Sequence, residues 1–201
     1  MGKALDELVP VKGFKYCTEK FPIKYWDAPS GDELEQFNQQ LENDIKDIGD
    51  TLSGRGLPTG TMTRWNTHEY YESFRQLGNV AIRFCQKHPV TNRTTLTGEK
   101  EVVPLYLKES WGLIYNKGDS TRDHMHWPSI WSYVYCVRAC PKCVPLVFPN
   151  VKNGYEISPK KGRLIIFPGI VTHEVPEQKC DHERIMISGN LDTAWTPPDL
   201  S

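Results

Sequence analysis

The run His124-Met125-His126 sets two imidazoles two positions apart, and a third histidine, His173, follows 47 residues later, just past the turn Pro168-Gly169. On a strand, side chains at i and i+2 point to one face, so His124 and His126 would present two nitrogen donors together. If the chain brings His173 back to the same mouth, three imidazoles occupy one face of an octahedron and leave the opposite face open. A non-haem iron(II) oxygenase needs those open positions for co-substrate and dioxygen. A fourth residue bears on the same chemistry. Arg184 opens the run Arg184-Ile185-Met186-Ile187-Ser188-Gly189-Asn190, in which alternation puts Arg184, Met186, Ser188 and Asn190 on one face and Ile185, Ile187 and Leu191 on the other. An inward-facing arginine is costly unless it meets a carboxylate. Its planar fork suits the far carboxylate of a dicarboxylate, and a hydroxyl such as Ser188 or Tyr135 could share that group.

A His-x-His pair is a weak signal by itself, because two histidines on a strand often satisfy local hydrogen bonds. The reading rests on the pair together with His173 and Arg184. His68 precedes a helix as a capping or surface residue, His88 sits at a helix C-terminus where partial positive charge is favoured, and His182 lies in a charged turn. None of these three is assigned a function. Among the six cysteines, Cys140-Pro-Lys-Cys143, with Cys136 just before it, has zinc-like spacing. A structural zinc needs four ligands, and no second Cys/His pair follows at a suitable spacing, so buried or turn thiols are expected.

The elements that must position these residues fall into two halves. Ser30-Gly31-Asp32-Glu33 opens a helix that Ser30 or Asp32 can cap, and Leu34, Phe37, Leu41, Ile45 and Ile48 repeat along one face of it. Gly49 to Gly60 reads as loop. A second helix runs roughly from Glu69 to His88 with an apolar stripe that includes Phe74, Leu77, Ala81 and Cys85, and Pro89 ends it. Val9 to Val11 and Phe21 to Tyr25 could each add an edge strand. From Val102 onward the chain turns to short strand-like runs: Val102 to Leu107, Trp111 to Asn116, Ile130 to Arg138, Val144 to Phe148, Tyr155 to Ser158, Arg163 to Phe167, Thr172 to Val175 and Ile185 to Leu191. Turn signals such as Lys117-Gly118-Asp119, Asn153-Gly154 and Lys161-Gly162 separate them, a pattern of antiparallel sandwiches and jelly rolls. The expected fold is mostly β with N-terminal helices, a cupin-like jelly roll or double-stranded β-helix. It forms one domain over residues 1–201, with a helical layer over 1–100 and the jelly-roll core over 101–195.

With 201 residues, 38% of them hydrophobic, and a formal net charge of -1, the chain suits one folded domain and gives no electrostatic reason to expect nucleic-acid binding. No apolar run approaches the ~20 residues that span a bilayer, and Met1 to Pro10 lacks an apolar signal core. A soluble, cytoplasmic protein with no membrane partner is expected.

Taken together, Trp111, Asn116-Lys117-Gly118-Asp119, His124-x-His126, Ser132-Tyr133-Val134-Tyr135, Gly162-Arg163-Leu164-Ile165-Ile166-Phe167-Pro168, His173 and Glu183-Arg184-Ile185 to Asn190 resemble the 2-oxoglutarate–iron(II) oxygenases of marine bacteria and cyanophages. The resemblance runs from about Phe21 to Leu191 and includes Asn38-Gln39-Gln40-Leu41 and Trp65-Asn66. It implies a double-stranded β-helix under a helical layer. It also implies iron(II), 2-oxoglutarate and dioxygen as reactants, succinate and carbon dioxide as by-products, and production in a host cytoplasm if the gene is carried by phage. The metal histidines carry over to His124 and His173 and the co-substrate arginine to Arg184. The wider superfamily has a carboxylate where His126 stands, so His126 either binds the metal or stands just behind it. Trp127 replaces a proline common in relatives, and Trp111, Trp127 and Trp131 are candidates to line a substrate pocket. The substrate class stays open between an amino acid, a peptidyl side chain and a small molecule. The competing readings are a three-histidine, cupin-like dioxygenase without 2-oxoglutarate and a non-catalytic, metal-binding β-barrel module.

Overall fold

The computed structural model describes residues 22–52, 58–87, 92–94, 98–151 and 154–193. Val9 to Val11, Cys17, His88 and Pro89 lie outside the described residues.

The strands gather mainly into two antiparallel sheets. The larger contains β1 (Lys24–Asp27), β2 (Thr61–Met62), β5 (Leu105–Tyr115), β7 (Trp131–Arg138), β10 (Arg163–Pro168) and β12 (Arg184–Thr193), in the order β1-β10-β7-β12-β5-β2. The smaller is β6-β11-β8-β9, formed by β6 (Thr121–His124), β8 (Leu146–Phe148), β9 (Tyr155–Ile157) and β11 (His173–Val175). A separate hairpin pairs β3 (Asn92–Thr94) with β4 (Lys100–Val102). The expected Val102–Leu107 and Trp111–Asn116 runs merge into one strand, β5, from Leu105 onward, because Glu109 and Ser110 stay paired with β12 and Lys108 is taken up in a register shift; Val102 ends β4 instead. The N-terminal half is more than a helical layer: β1 and β2 form the two edges of the larger sheet.

Two helices cover the outer face of that sheet. The first, α1 (Asp32–Ile48), starts at Gly31 with no side-chain cap bond, so neither Ser30 nor Asp32 acts as the expected cap. Acidic Asp32, Glu33 and Glu35 in its first turn complement the helix dipole instead. The second, α2 (Glu72–Gln86), begins later than the expected Glu69, since Thr67–Glu69 forms a separate 3₁₀ turn. Leu41, Ile45, Phe74, Leu77 and Ala81 pack here against Tyr133, Tyr135, Ile185, Ile187 and Leu191. The helix lies close to the sheet: a Cβ on Gly112 would stand 2.5 Å from the Ile45 side chain, so this β5 position excludes any larger residue.

A second apolar layer fills the space between the sheets. Trp111, Leu113, Val134, Ile165, Phe167 and Met186 from the larger sheet meet Leu146, Phe148, Ile157 and Val175 from the smaller. Strand β12 thus divides as its alternation dictates. Its isoleucines support the helices, and Arg184, Met186 and Ser188 face the interior between the sheets. No helix among the described residues is long and apolar enough to cross a membrane.

Candidate metal centre

One end of the inter-sheet space opens into a cavity of about 230 Å³, and His124, His126, His173, Arg184 and Ser188 all line it. Antiparallel pairing of β6 with β11 sets His124 directly opposite His173, which is how residues far apart in sequence become neighbours. His126 arrives differently. It lies past the end of β6 in a turn, not on the strand, and is held by backbone bonds from its own N–H to Gly169 O (2.7 Å) and from Ser129 N–H to its carbonyl (2.8 Å). Gly169 must be glycine for this turn to dock, because a Cβ there would stand 2.1 Å from Ser129 O. The ring centroids of the three histidines are 4.3 to 5.0 Å apart, and their candidate donor atoms lie within 4.8 Å of one another. Asp123, beside His124, is exposed and outside the group.

Hydrogen bonds decide which nitrogen of each ring is available. His124 Nδ1 donates to Arg122 O at 2.8 Å and His173 Nδ1 donates to Val171 O at 3.0 Å, which leaves both Nε2 atoms with lone pairs directed inward. His126 is placed by side chains as well. The Asn190 amide beside it is oriented by Ser132 Oγ, which donates to its oxygen (2.9 Å), and by Glu109, which accepts from its nitrogen (2.9 Å). That nitrogen lies 3.4 Å from His126 Nδ1, and His126 Nε2 lies 3.2 Å from His173 Nε2, a spacing that suits two nitrogen donors on one ion.

Burial holds all three rings neutral. It lowers the pKa of His124, although the Arg122 carbonyl and the Asp123 charge oppose it. It pushes His126 down to about 3, with the neighbouring His124 adding to the effect, and takes His173 well below the ordinary value, again with help from the other two histidines. Neutral imidazole is the form that ligates a metal.

Arg184 is 1% exposed. Its Nη1 donates to Val144 O at 2.9 Å, its guanidinium lies 5.5 Å from the centre of the Tyr115 ring, and its Nε is buried with no hydrogen-bond partner among the described residues. No carboxylate pairs with it among those residues, and burial lowers its pKa. A buried cation with an unsatisfied donor beside a cavity has the chemistry to take an anion.

Strand alternation divides the remaining expected site residues. Ser188 stays on the cavity face, and Trp111, its cross-strand partner, also lines the cavity. Tyr135 does not. It points to the helix side, where its hydroxyl donates to Asn38 Oδ1 at 2.8 Å, because its position on β7 alternates away from the inter-sheet face. Trp131 shares that outer face of β7 and is buried under the helical layer. Trp127 is 69% exposed and is not part of the lining. Two further aromatic residues, not expected as pocket residues, also join the lining. Tyr115 pairs in register with Arg184 and bonds Thr121 Oγ1 at 2.7 Å, and Trp65 packs edge-on against Trp111 at 4.5 Å. Only strand pairing identifies Tyr115, since nothing in its local sequence separates it from a core tyrosine.

The sequence matches no family model and no curated protein. Solved structures do match. The viral collagen prolyl hydroxylase of Paramecium bursaria Chlorella virus-1, in its 2-oxoglutarate complex, superposes with a TM-score of 0.63 at 14% identity, covering 84% of this chain and 94% of that one. A Pseudomonas putida prolyl-4-hydroxylase gives 0.62 at 14% identity over 87% of this chain and 94% of that one. HygX from Streptomyces hygroscopicus, with nickel and 2-oxoglutarate bound, gives 0.64 at 10% identity over 93% and 89%. The chain shares their fold. At these identities the likeness is one of architecture, and the chemistry has to be argued from the residues of this cavity.

Proposed function

We propose that this protein is a non-haem iron(II), 2-oxoglutarate-dependent dioxygenase of the hydroxylase type, a single domain built as a double-stranded β-helix. The carrying observation is the coincidence in one cavity of three neutral histidines and the buried guanidinium of Arg184, whose Nε has no acceptor among the described residues. The donor set fits a divalent transition metal with open positions. The orphaned guanidinium fits the far carboxylate of a dicarboxylate that also reaches the metal. The structural neighbours that carry 2-oxoglutarate, iron or nickel support the same pairing.

His124 and His173 would hold the metal through Nε2, with His126 beside them as the third candidate ligand. Arg184 anchors the distal carboxylate, with Ser188 beside it on β12 and Tyr115 flanking the guanidinium. Iron(II) bound here supplies the redox chemistry, by which a substrate C–H, 2-oxoglutarate and dioxygen become C–OH, succinate and carbon dioxide. Apolar Leu113, Val134 and Met186 keep water from the reacting centre. At about 230 Å³ the cavity is smaller than the ~300–1,000 Å³ typical of ligand pockets. With metal and co-substrate inside, it admits only the reacting edge of a substrate. The rest of an amino-acid, peptidyl or small-molecule substrate lies at the mouth, where Trp65 and Met125 are exposed. A three-histidine dioxygenase that dispenses with 2-oxoglutarate would leave Arg184 unpaired.

The test is anaerobic titration of iron(II) and then 2-oxoglutarate, followed by admission of oxygen. One equivalent of each should bind, and slow succinate formation should follow even without substrate. Iron-loaded protein that neither binds 2-oxoglutarate nor forms succinate would refute the reading.

A further inference from the structure

A second group of metal-binding side chains lies outside the histidine cavity. Cys140 and Cys143 stand in the turn after β7, and Cys180 and His182 stand in the turn before β12. The three sulfurs form a near-equilateral triangle. Cys140 Sγ to Cys180 Sγ is 3.5 Å, and Cys143 Sγ lies 3.6 Å from each of the others. Sulfurs bound to one tetrahedral zinc at ~2.3 Å are about 3.8 Å apart, so the triangle is close to one face of that tetrahedron. An imidazole nitrogen of His182 lies within 4.8 Å of the Cys140 and Cys180 sulfurs, and the ring is exposed, so it can turn toward the fourth corner.

Two N–H donors are aimed at these sulfurs. The Cys140 backbone N–H points at Cys143 Sγ (3.3 Å), and Gln178 Nε2 donates to Cys180 Sγ (2.9 Å). Such donors stabilise the negative charge that sulfur carries as a metal ligand. Three cysteines meeting at one point cannot all be paired by one disulfide, whereas one metal ion satisfies all three. The sequence pattern is Cys-x2-Cys followed much later by Cys-x-His, a gap too long for finger-type spacing, so the second pair is recognised only when the two turns meet.

We propose that Cys140, Cys143, Cys180 and His182 form a structural zinc site that clips the turn after β7 to the turn before β12. The clip sits directly behind Arg184. Gln178 Oε1 accepts from Val144 N–H (3.2 Å), and Val144 O accepts from Arg184 Nη1 (2.9 Å), so the same two turns fix the guanidinium. The site stands on its own residues and does not depend on the reaction assigned to the histidine cavity.

The test uses the full chain, reduced and stripped by chelator, carrying His173→Ala to disable the histidine site. Cobalt(II) titration should show one equivalent bound, with thiolate-to-cobalt charge transfer and the strong visible absorption of tetrahedral cobalt, both abolished by zinc. Adding Cys143→Ser and Cys180→Ser should remove these signals. Absence of thiolate charge transfer in the parent, or its survival in the cysteine variant, overturns the proposal. Should that variant not fold, thiol titration of the parent decides. Zinc should shield three more cysteines from a thiol reagent than chelator does, and equal reactivity with and without zinc overturns the proposal.

Discussion

Replacing Arg184 by methionine should separate stability from co-substrate binding. Arg184 is a buried cation that donates to Val144 O and whose Nε has no partner among the described residues. Exchanging buried charges for apolar side chains of similar volume is often neutral or stabilising by about 1–4 kcal/mol. Loss of the bond to Val144 O offsets roughly 1 kcal/mol of that. The variant without ligand should therefore unfold at the same temperature as the parent or higher, by up to about 10 °C for a chain of this size. The co-substrate response should move the other way. Removing one partner of a buried charge pair costs about 3–5 kcal/mol, or roughly 10²- to 10³-fold or more in affinity. At ~100 times its Kd, 2-oxoglutarate stabilises the metal-loaded parent by about 2.7 kcal/mol, and at the same concentration the variant should gain almost nothing. Thermal or urea unfolding of the metal-loaded parent and variant, with and without 2-oxoglutarate, measures both effects. An undiminished 2-oxoglutarate shift in Arg184→Met would refute the anchoring role. A large loss of ligand-free stability would refute the view that this cation is kept for binding at a cost to the fold.

Other outcomes follow from the same geometry. His124→Ala and His173→Ala should abolish iron binding measured by anaerobic titration, whereas His126→Ala should cost less, about 10–100-fold, because backbone carbonyls orient the other two rings for ligation. Tyr135→Phe should leave 2-oxoglutarate affinity unchanged and lower stability by about 1 kcal/mol in urea unfolding, the value of one bond to Asn38. Gly169→Ala should push the His126 turn off Gly169 and weaken metal binding, since the new Cβ would meet Ser129 O; an unaltered metal affinity would show that the turn can yield freely. Without metal, stability should fall as pH drops below about 6.5. The unfolded chain then takes up protons at His124, His126 and His173 that the folded chain refuses, down to about pH 3 at His126. The slope is at most about 1.4 kcal/mol per pH unit per histidine; bound metal should raise stability in denaturant titrations but leave the onset near pH 6.5, because the unfolded chain sets it.

Much of the site is legible in the amino-acid sequence itself. Alternation along Arg184 to Asn190 puts Arg184 and Ser188 on one face and the isoleucines on the other, because a strand's period of two depends only on backbone geometry. The histidines are marked by residue type and by resemblance. The helices are legible from their apolar stripes, with errors confined to ends such as Ser30 and Glu69, where capping depends on local backbone angles.

Tertiary structure decides what depends on which strands become neighbours. Tyr135 and Tyr115 are both buried tyrosines on strands, yet Tyr115 lies against Arg184 across the β5–β12 ladder and Tyr135 faces the helices. Trp131 and Trp127 fall outside the pocket through their placement in the fold, one behind the sheet and the other in solvent. The three histidines need the fold least to be noticed and most to be understood. Their residue types name the metal chemistry. Only the pairing of His124 with His173, and the turn that docks His126 on Gly169, brings the three rings together in one cavity. The same holds for the cysteines: the sequence shows Cys140 and Cys143 far from Cys180, and only the meeting of two turns brings the three sulfurs together.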